Sequence, residues 1–163
     1  MSTQRITTSL WFDTQAVEAA EFYCSIFPNS KITAVTHYTK GSPREAGMVL
    51  TVTFVLDGQE ITAINGGPLF SFSEAISLAV ECADQQEIDR YWERLTDGGE
   101  EGACGWCKDR YGLSWQIKPR NMSRFFTGDA AGAARAAQAM FAMRKLDVAA
   151  LEAAYAGAAH ATA

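Results

Sequence analysis

Residues 48–65 read MVLTVTFVLDGQEITAIN. β-branched and aromatic residues dominate both halves, and Asp57-Gly58 divides them, a pair favoured where two antiparallel strands meet in a tight turn. The pattern predicts strands over 48–56 and 59–65. Upstream, residues 31–38 (KITAVTHY) predict another strand, and Gly41-Ser42-Pro43 opens a loop behind it. Pro28-Asn29-Ser30 ends a helix. There Ala16, Ala19, Ala20, Tyr23 and Phe27 recur at steps of three and four, which is one helical face. Asp13 or Thr14 is expected to cap that helix, which runs to about Ile26. Residues 6–12 (ITTSLWF) supply the first strand. The order is β-α-β-β-β.

Downstream the order recurs. Residues 74–82 (EAISLAVEC) predict a strand, Asp84 caps a helix to about Leu95, and Gly98-Gly99 stops it. Short strands are expected near 101–104, at 105–109 and at 113–118. Tyr91-Trp92 overlays Phe22-Tyr23 at an offset of 69 residues, so the chain holds a two-copy repeat rather than a solenoid array. Residues 130–157 are rich in alanine, the best helix former. One helix is expected through Arg144, and a second from an Asp147 cap through Tyr155 to a stop at Gly157. The reading is one α+β domain over 1–163. Its paired βαβββ modules cover about 5–68 and 72–120, and a C-terminal helical hairpin covers about 121–157.

The hairpin carries an apolar stripe of Met140, Phe141, Met143, Leu146, Leu151 and Tyr155. Docking onto its own sheet and docking onto a partner subunit both account for it. A homodimer is the expectation, because an exposed stripe of that size marks a contact surface and symmetric dimers are the commonest assembly.

Composition removes several function classes. The 163 residues carry a net charge of −5 with no Lys/Arg run, so neither phosphate neutralisation on nucleic acid nor adhesion to an anionic membrane is expected. No apolar stretch approaches the ~20 residues that span a bilayer. Met1-Ser2-Thr3-Gln4-Arg5 leads straight into a strand without a signal-peptide core. Cys24, Cys82, Cys104 and Cys107 are then expected as reduced thiols in a cytoplasmic protein.

Two βαβββ copies resemble the vicinal-oxygen-chelate superfamily of glyoxalases, bleomycin-resistance proteins and dioxygenases. The segments LWFDTQAVEAAEFYCSIFPNSKI, INGGPLFSFSEAISL and GACGWCKDRYGLSWQIKPR resemble its PhnB-like branch, which often carries the label 3-demethylubiquinone 3-methyltransferase-like. The resemblance runs from about Ile6 to Gly157. It implies a curved sheet around a cavity where metal-using members hold a divalent ion on four strands. Those positions fall, to within one residue, at Thr8, Thr62, Ser77 and Gln116. All four are neutral, whereas divalent first-row metals want imidazole, thiolate or carboxylate donors. The two histidines, His37 and His160, sit on an outer strand and in the terminal tail. No metal and no other cofactor is therefore expected. The four neutral groups suit a small polar or aromatic organic ligand, or they satisfy one another and buried water.

Other residues have competing readings. Asn65-Gly66-Gly67-Pro68 offers backbone N–H groups to a ligand, or serves only as the flexible link between repeats. Phe70 and Phe72 follow at alternate positions and suit the cavity mouth. Cys104-Gly105-Trp106-Cys107 has the spacing of a redox dithiol or half a zinc site, but lacks a helix start and a second ligand pair. Free thiols are expected, with Cys107 as a cavity-wall candidate. Trp11, Trp106 and Trp115 suit stacking on a flat ligand or a place in the core. Trp115 and Gln116 must point to opposite faces of their strand. Glu60 and Asp109 are the carboxylates nearest the cavity; Asp109 is also explained by the turn it opens. No glycine-rich strand-turn-helix fingerprint of the common methyltransferase fold is present.

The leading reading is a metal-independent pocket for a small organic molecule, with Thr8, Thr62, Asn65, Phe70, Ser77, Trp106, Cys107 and Gln116 as candidate contacts. The alternative is an enzyme acting on a small metabolite, methyltransferase-like or glyoxalase/dioxygenase-like. A third reading is a mainly structural homodimer.

Overall fold

The computed structural model describes residues 5–157, which leaves His160 outside the described residues. The chain divides into two compact units, Met1–Phe72 and Ser73–Ala163. The first contains β1 (Thr8–Phe12), α1 (Ala16–Ile26), β2 (Lys31–His37), β3 (Val49–Leu56) and β4 (Gln59–Asn65). Its sheet order is β1-β4-β3-β2, with β1 parallel to β4 and the other pairs antiparallel. The β3–β4 hairpin turns where expected. Asp57 and Gly58 both take positive φ, 45° and 87°, the geometry whose twist matches that of the flanking strands.

Alternation then separates the two faces of this sheet. Leu10, Phe12, Val52, Phe54, Leu56, Ile61 and Ala63 are buried. The apolar stripe of α1 covers that side, with the Tyr23 and Phe54 rings stacked 6.2 Å apart. Neither Asp13 nor Thr14 caps α1. Gln15 occupies the cap position and makes no side-chain cap bond. The free N–H of Ala16 is met instead from the far end of β4, where Asn65 Oδ1 accepts it at 2.9 Å.

The second unit repeats the topology. It contains β5 (Leu78–Cys82), α2 (Gln85–Thr96), β6 (Glu100–Glu101), β7 (Trp106–Lys108) and β8 (Ser114–Pro119), in the order β5-β8-β7-β6. Again the first strand pairs parallel to the last. The two long helices begin 69 residues apart, as the repeat requires. Asp84 caps α2 as expected, accepting from the Glu87 N–H at 2.9 Å, while Glu87 reaches back to the Ala83 N–H at 2.8 Å. Three strands are shorter than expected, β7 by one residue at each end. β5 starts only at Leu78, because Ser73 binds the Ala75 and Ile76 amides in a turn. β6 stops at Glu101, because Cys104 and Gly105 at φ 58° and 82° form the turn into β7.

The tail forms a 3₁₀ turn (Met122–Phe125), which the sequence reading does not foresee, then α3 (Ala130–Ala142) and α4 (Val148–Ala156). Asp129 and Asp147 cap the helices, and Gly157 at φ 78° ends the second. α3 ends before Arg144 for a tertiary reason. The carbonyls of Met143 and Arg144 accept the Cys104 and Gly105 N–H groups at 2.8 and 2.7 Å. Gly105 cannot be replaced cheaply, since a Cβ there would stand 2.7 Å from the Ile117 carbonyl and 3.0 Å from the Leu146 side chain. Gln85 on α2 clasps the hairpin, donating to the Leu146 carbonyl at 3.0 Å and accepting from the Val148 N–H at 2.9 Å.

This docking accounts for most of the apolar stripe. Leu146 and Leu151 are buried, and Met140, Met143 and Tyr155 pack on Phe125, Ala136 and Leu151. Phe141 alone of the six stays open, at 70% exposure. The stripe belongs to its own unit and does not by itself call for a partner. Among the described residues, no helix is long and apolar enough to cross a membrane.

Leu146→Ala is expected to cost about 3 kcal/mol in urea unfolding, the usual loss for a buried leucine. Phe141→Ser should change stability by less than about 0.5 kcal/mol, as for an isolated surface site. Equal effects from the two changes would contradict this packing.

Candidate functional site

Each sheet has one helix-covered face and one open face, and strand register assigns every candidate to one of them. In the first unit Thr8 pairs with buried Ile61, and Ser9 pairs with Thr62. Paired residues in a ladder share a face. Thr62 therefore lies on the open face with Ser9, Trp11 and Ile64, joined by its β3 partner Thr53. Thr8 lies on the opposite face, where its hydroxyl accepts from Gln59 Nε2 at 3.4 Å. Ser9 is the residue that joins Thr62. Leu10 and Phe12 carried the signal for it, since two apolar residues at alternate positions turn Ser9 and Trp11 outward.

Asn65 is buried, and its side chain has two backbone partners. Besides the Ala16 N–H it engages the Val49 carbonyl, through Nδ2 at 3.2 Å, and its own carbonyl accepts from the Tyr38 hydroxyl at 2.7 Å. The glycines that follow wrap Trp11. The Trp11 indole donates to the Gly67 carbonyl at 2.9 Å, and a Cβ on Gly66 would fall within the Trp11 ring. Phe70 closes over the same indole edge-on, centroids 5.0 Å apart, and Phe72 meets Phe12 at 5.2 Å.

The second unit brings three candidates together. Gln116 pairs with Ala79 on one side and Trp106 on the other. Its Nε2 donates to the Ser77 hydroxyl at 2.8 Å. Ser77, Trp106 and Gln116 thus share the open face, and Lys108 and Ser114, a further cross-strand pair, extend it. A cavity of about 140 Å³ is lined by Glu74, Glu100, Glu101, Gly102, Trp106, Cys107, Lys108 and Ser114. Lys108 Nζ meets Glu74 Oε1 at 2.5 Å. That bond draws the Glu74 carboxyl below its ordinary range and lifts the Lys108 ammonium above its own. Ser114 was not singled out from sequence.

Cys107 pairs with Trp115, so its side chain belongs to the helix-covered face, 2% exposed. Burial, aided by the negative charges of Asp109 and Glu101, pushes its thiol up to about 12. Cys82 is likewise pushed up to about 12, first by burial. All four cysteines are free. Asp109, 2% exposed, is held by the turn it opens. Its Oδ1 accepts the Tyr111 and Leu113 N–H groups at 2.8 and 3.1 Å, and its Oδ2 accepts the Trp115 indole at 2.8 Å. Trp115 is core, and Gln116 next to it faces outward, as alternation requires.

The fold's metal positions can be tested against these donors. Thr8 and Thr62 are on opposite faces of one sheet, and Gln116 donates a proton to Ser77 rather than presenting a lone pair with it. Hydroxyls and an amide in this arrangement do not fit a divalent transition metal. Among the described residues, no three His, Cys, Asp or Glu side chains gather as a metal group.

Two βαβββ units, each closed by a parallel pair of its first and last strands, define the vicinal-oxygen-chelate class. The chain belongs to the PhnB-like family within it, since the family model described as 3-demethylubiquinone-9 3-methyltransferase matches residues 4–118. A PhnB protein from Bacillus cereus is 36% identical, with a TM-score of 0.64 over 70% of this chain and 98% of that one. A protein from Pseudomonas aeruginosa, 18% identical, shares the fold at a TM-score of 0.59, over 72% and 98% of the two chains. So does the genomically encoded fosfomycin resistance protein FosX of Listeria monocytogenes, in a complex with Mn(II) and sulfate. It is 15% identical, with a TM-score of 0.52 over 77% of this chain and 97% of FosX. No curated protein matches the chain.

Two outcomes are expected here. Asn65→Ala should destabilise the protein by about 2 kcal/mol in chemical denaturation, because a helix start and a buried hydrogen bond are lost together. In thiol titration of the native protein at pH 8, Cys82 and Cys107 should stay unreacted, since only a thiolate attacks the reagent. All four thiols should react after denaturation. Native-state labelling of Cys107 as fast as Cys104 would refute its assignment to the covered face.

Proposed function

We propose that this protein binds a small organic molecule on the open face of its second sheet and does so without a metal. The observation that carries the reading is the grouping of Ser77, Trp106 and Gln116 on one face, beside a cavity of about 140 Å³ walled partly by Trp106. Neutral hydrogen-bonding groups beside an aromatic wall are the usual lining of small-molecule sites. Thr62 and Ser9 give the first sheet's open face a comparable polar row. On this reading Thr8, Asn65 and Cys107 support the fold, and Phe70 shields Trp11. The carboxylate of Asp109 is committed to its turn and is not a free base.

The same proposal treats residues 1–163 as one functional domain of a cytoplasmic homodimer. With the C-terminal stripe accounted for, the surface that favours pairing is β2, an edge strand exposed along nearly its whole length, including Val35. Such an edge offers unpaired backbone groups to a second chain. Sedimentation at micromolar concentration tests it, and a monomer there would remove the dimer from the proposal.

The ligand reading is tested by a thermal-shift screen of metabolites and antibiotics, paired with elemental analysis. A true ligand at about 100 times its Kd stabilises the folded state by about 2.7 kcal/mol, a readily measured rise in Tm. Chelator should leave the shift unchanged, and Trp106→Ala and Gln116→Ala should abolish it while the far-ultraviolet spectrum is retained. A stoichiometric transition metal, or a screen in which no compound moves Tm, would defeat the reading.

A further inference from the structure

Ser114 is 1% exposed, and its hydroxyl has no hydrogen-bond partner among the described residues. Buried polar groups are nearly always paired, so an orphaned one asks for a reason. The sheet order supplies it. β8 lies between β5 and β7. Lys108 on β7 stands directly across from Ser114 on β8, yet its ammonium reaches Glu74, four residues ahead of β5. The lysine side chain therefore leans past the Ser114 end of β8, and the Lys108–Glu74 pair forms a strap there, with Glu74, Lys108 and Ser114 lining one cavity.

The charges around the strap do not balance. Glu100 is the cross-strand neighbour of Lys108 on its other side, but the ammonium is turned away from it to Glu74, so Glu100 has no ion pair among the described residues. Glu101 projects to the opposite face, where it accepts from the Trp92 indole at 3.0 Å and approaches Arg144 at 3.7 Å. The open face is left one negative charge in excess. Trp106 offers a ring as the adjoining wall, a surface that attracts cations. Apolar cavities of about 150 Å³ accept benzene, so this space suits a ligand of one ring.

We propose that this pocket takes a small organic cation, a primary amine on a single ring, whose ammonium replaces that of Lys108 on Glu74. The exchange is like for like: Glu74 keeps a cationic partner and Ser114 gains one for its hydroxyl oxygen, while Glu100, which lines the same cavity, adds an unpaired negative charge to its wall. The ring lies against Trp106. Lys108 is the internal placeholder that the ligand displaces. This rests on the open face being a ligand site, and goes further by fixing the ligand's charge.

Benzylamine, benzyl alcohol and benzoate are matched probes for calorimetry or NMR titration on the full-length protein. Benzylamine is expected to bind best, with affinity falling as salt rises. Lys108→Met, a surface change compatible with folding, should tighten benzylamine about tenfold, and Glu74→Gln should weaken it by a similar factor, the usual scale for a charge-assisted contact. Ser114→Ala should weaken benzylamine binding while raising thermal stability, since it removes an unsatisfied group. Preference for benzoate or benzyl alcohol, or weaker benzylamine binding by Lys108→Met, would overturn the cation assignment and leave the general ligand reading standing. Failure of all three probes overturns the cation assignment; failure of the wider metabolite screen as well removes both.

Discussion

Each unit of this protein depends on one constraint: its first strand pairs parallel to its last. Parallel neighbours cannot be joined by a tight turn, so the chain must cross over, and the crossover brings a helix onto one face of the sheet. Everything chemical follows from that asymmetry. The covered face takes Phe54, Ile61 and Ala63 in one unit and Trp115, Ile117 and Cys107 in the other. The opposite face is left to residues that are not needed for the core. Register decides which side chain falls where, and a shift of one residue exchanges the two sets.

The two units secure the crossover by different means. In the first, the helix start has no local cap, and Asn65 reaches it from the end of the strand that pairs with β1. A single amide thereby ties helix, β3 and the closing strand. In the second, Asp84 caps its helix locally and the closing strand needs another anchor. Asp109 provides it by gathering two turn amides and the Trp115 indole around one carboxylate. Gln85 then attaches the C-terminal hairpin to the same helix. Two residues with a competing site reading in the sequence, the amide Asn65 and the acid Asp109, are the joints of the two modules. Polar groups this well satisfied hold structure in place and have little left to offer a ligand.

The features legible in the sequence were those set locally. The Asp57-Gly58 turn, the caps at Asp84 and Asp147, the stop at Gly157 and the 69-residue repeat need only neighbouring residues or simple periodicity. The misplaced features were set across the chain. α3 ends early because the carbonyls of Met143 and Arg144, just past its end, serve the turn at Cys104 and Gly105. The Asn65 cap lies 49 residues from the amide it satisfies. The sides taken by Thr8 and Cys107 follow from alternation that the flanking apolar residues display, once the covered face is known. Ser114 was illegible for a different reason. A serine in an alternating strand is unremarkable, and the lack of a partner for its buried hydroxyl shows only in the folded chain.

Identical topology does not give the two open faces the same chemistry. That of the first sheet is a field of hydroxyls, with Ser9, Thr62 and Thr53 in one row, and its tryptophan is covered by the glycine link and Phe70. That of the second carries charge, a tryptophan on the cavity wall and one lysine paired with only one of two neighbouring acids. Among the described residues, no three His, Cys, Asp or Glu side chains gather as a metal group on this face. On the proposed ligand reading, discrimination falls to direct contacts, and those with the most to gain are the groups the folded chain leaves incompletely paired. In the second unit those groups are the Ser114 hydroxyl and the Glu100 carboxylate, neither with a partner among the described residues.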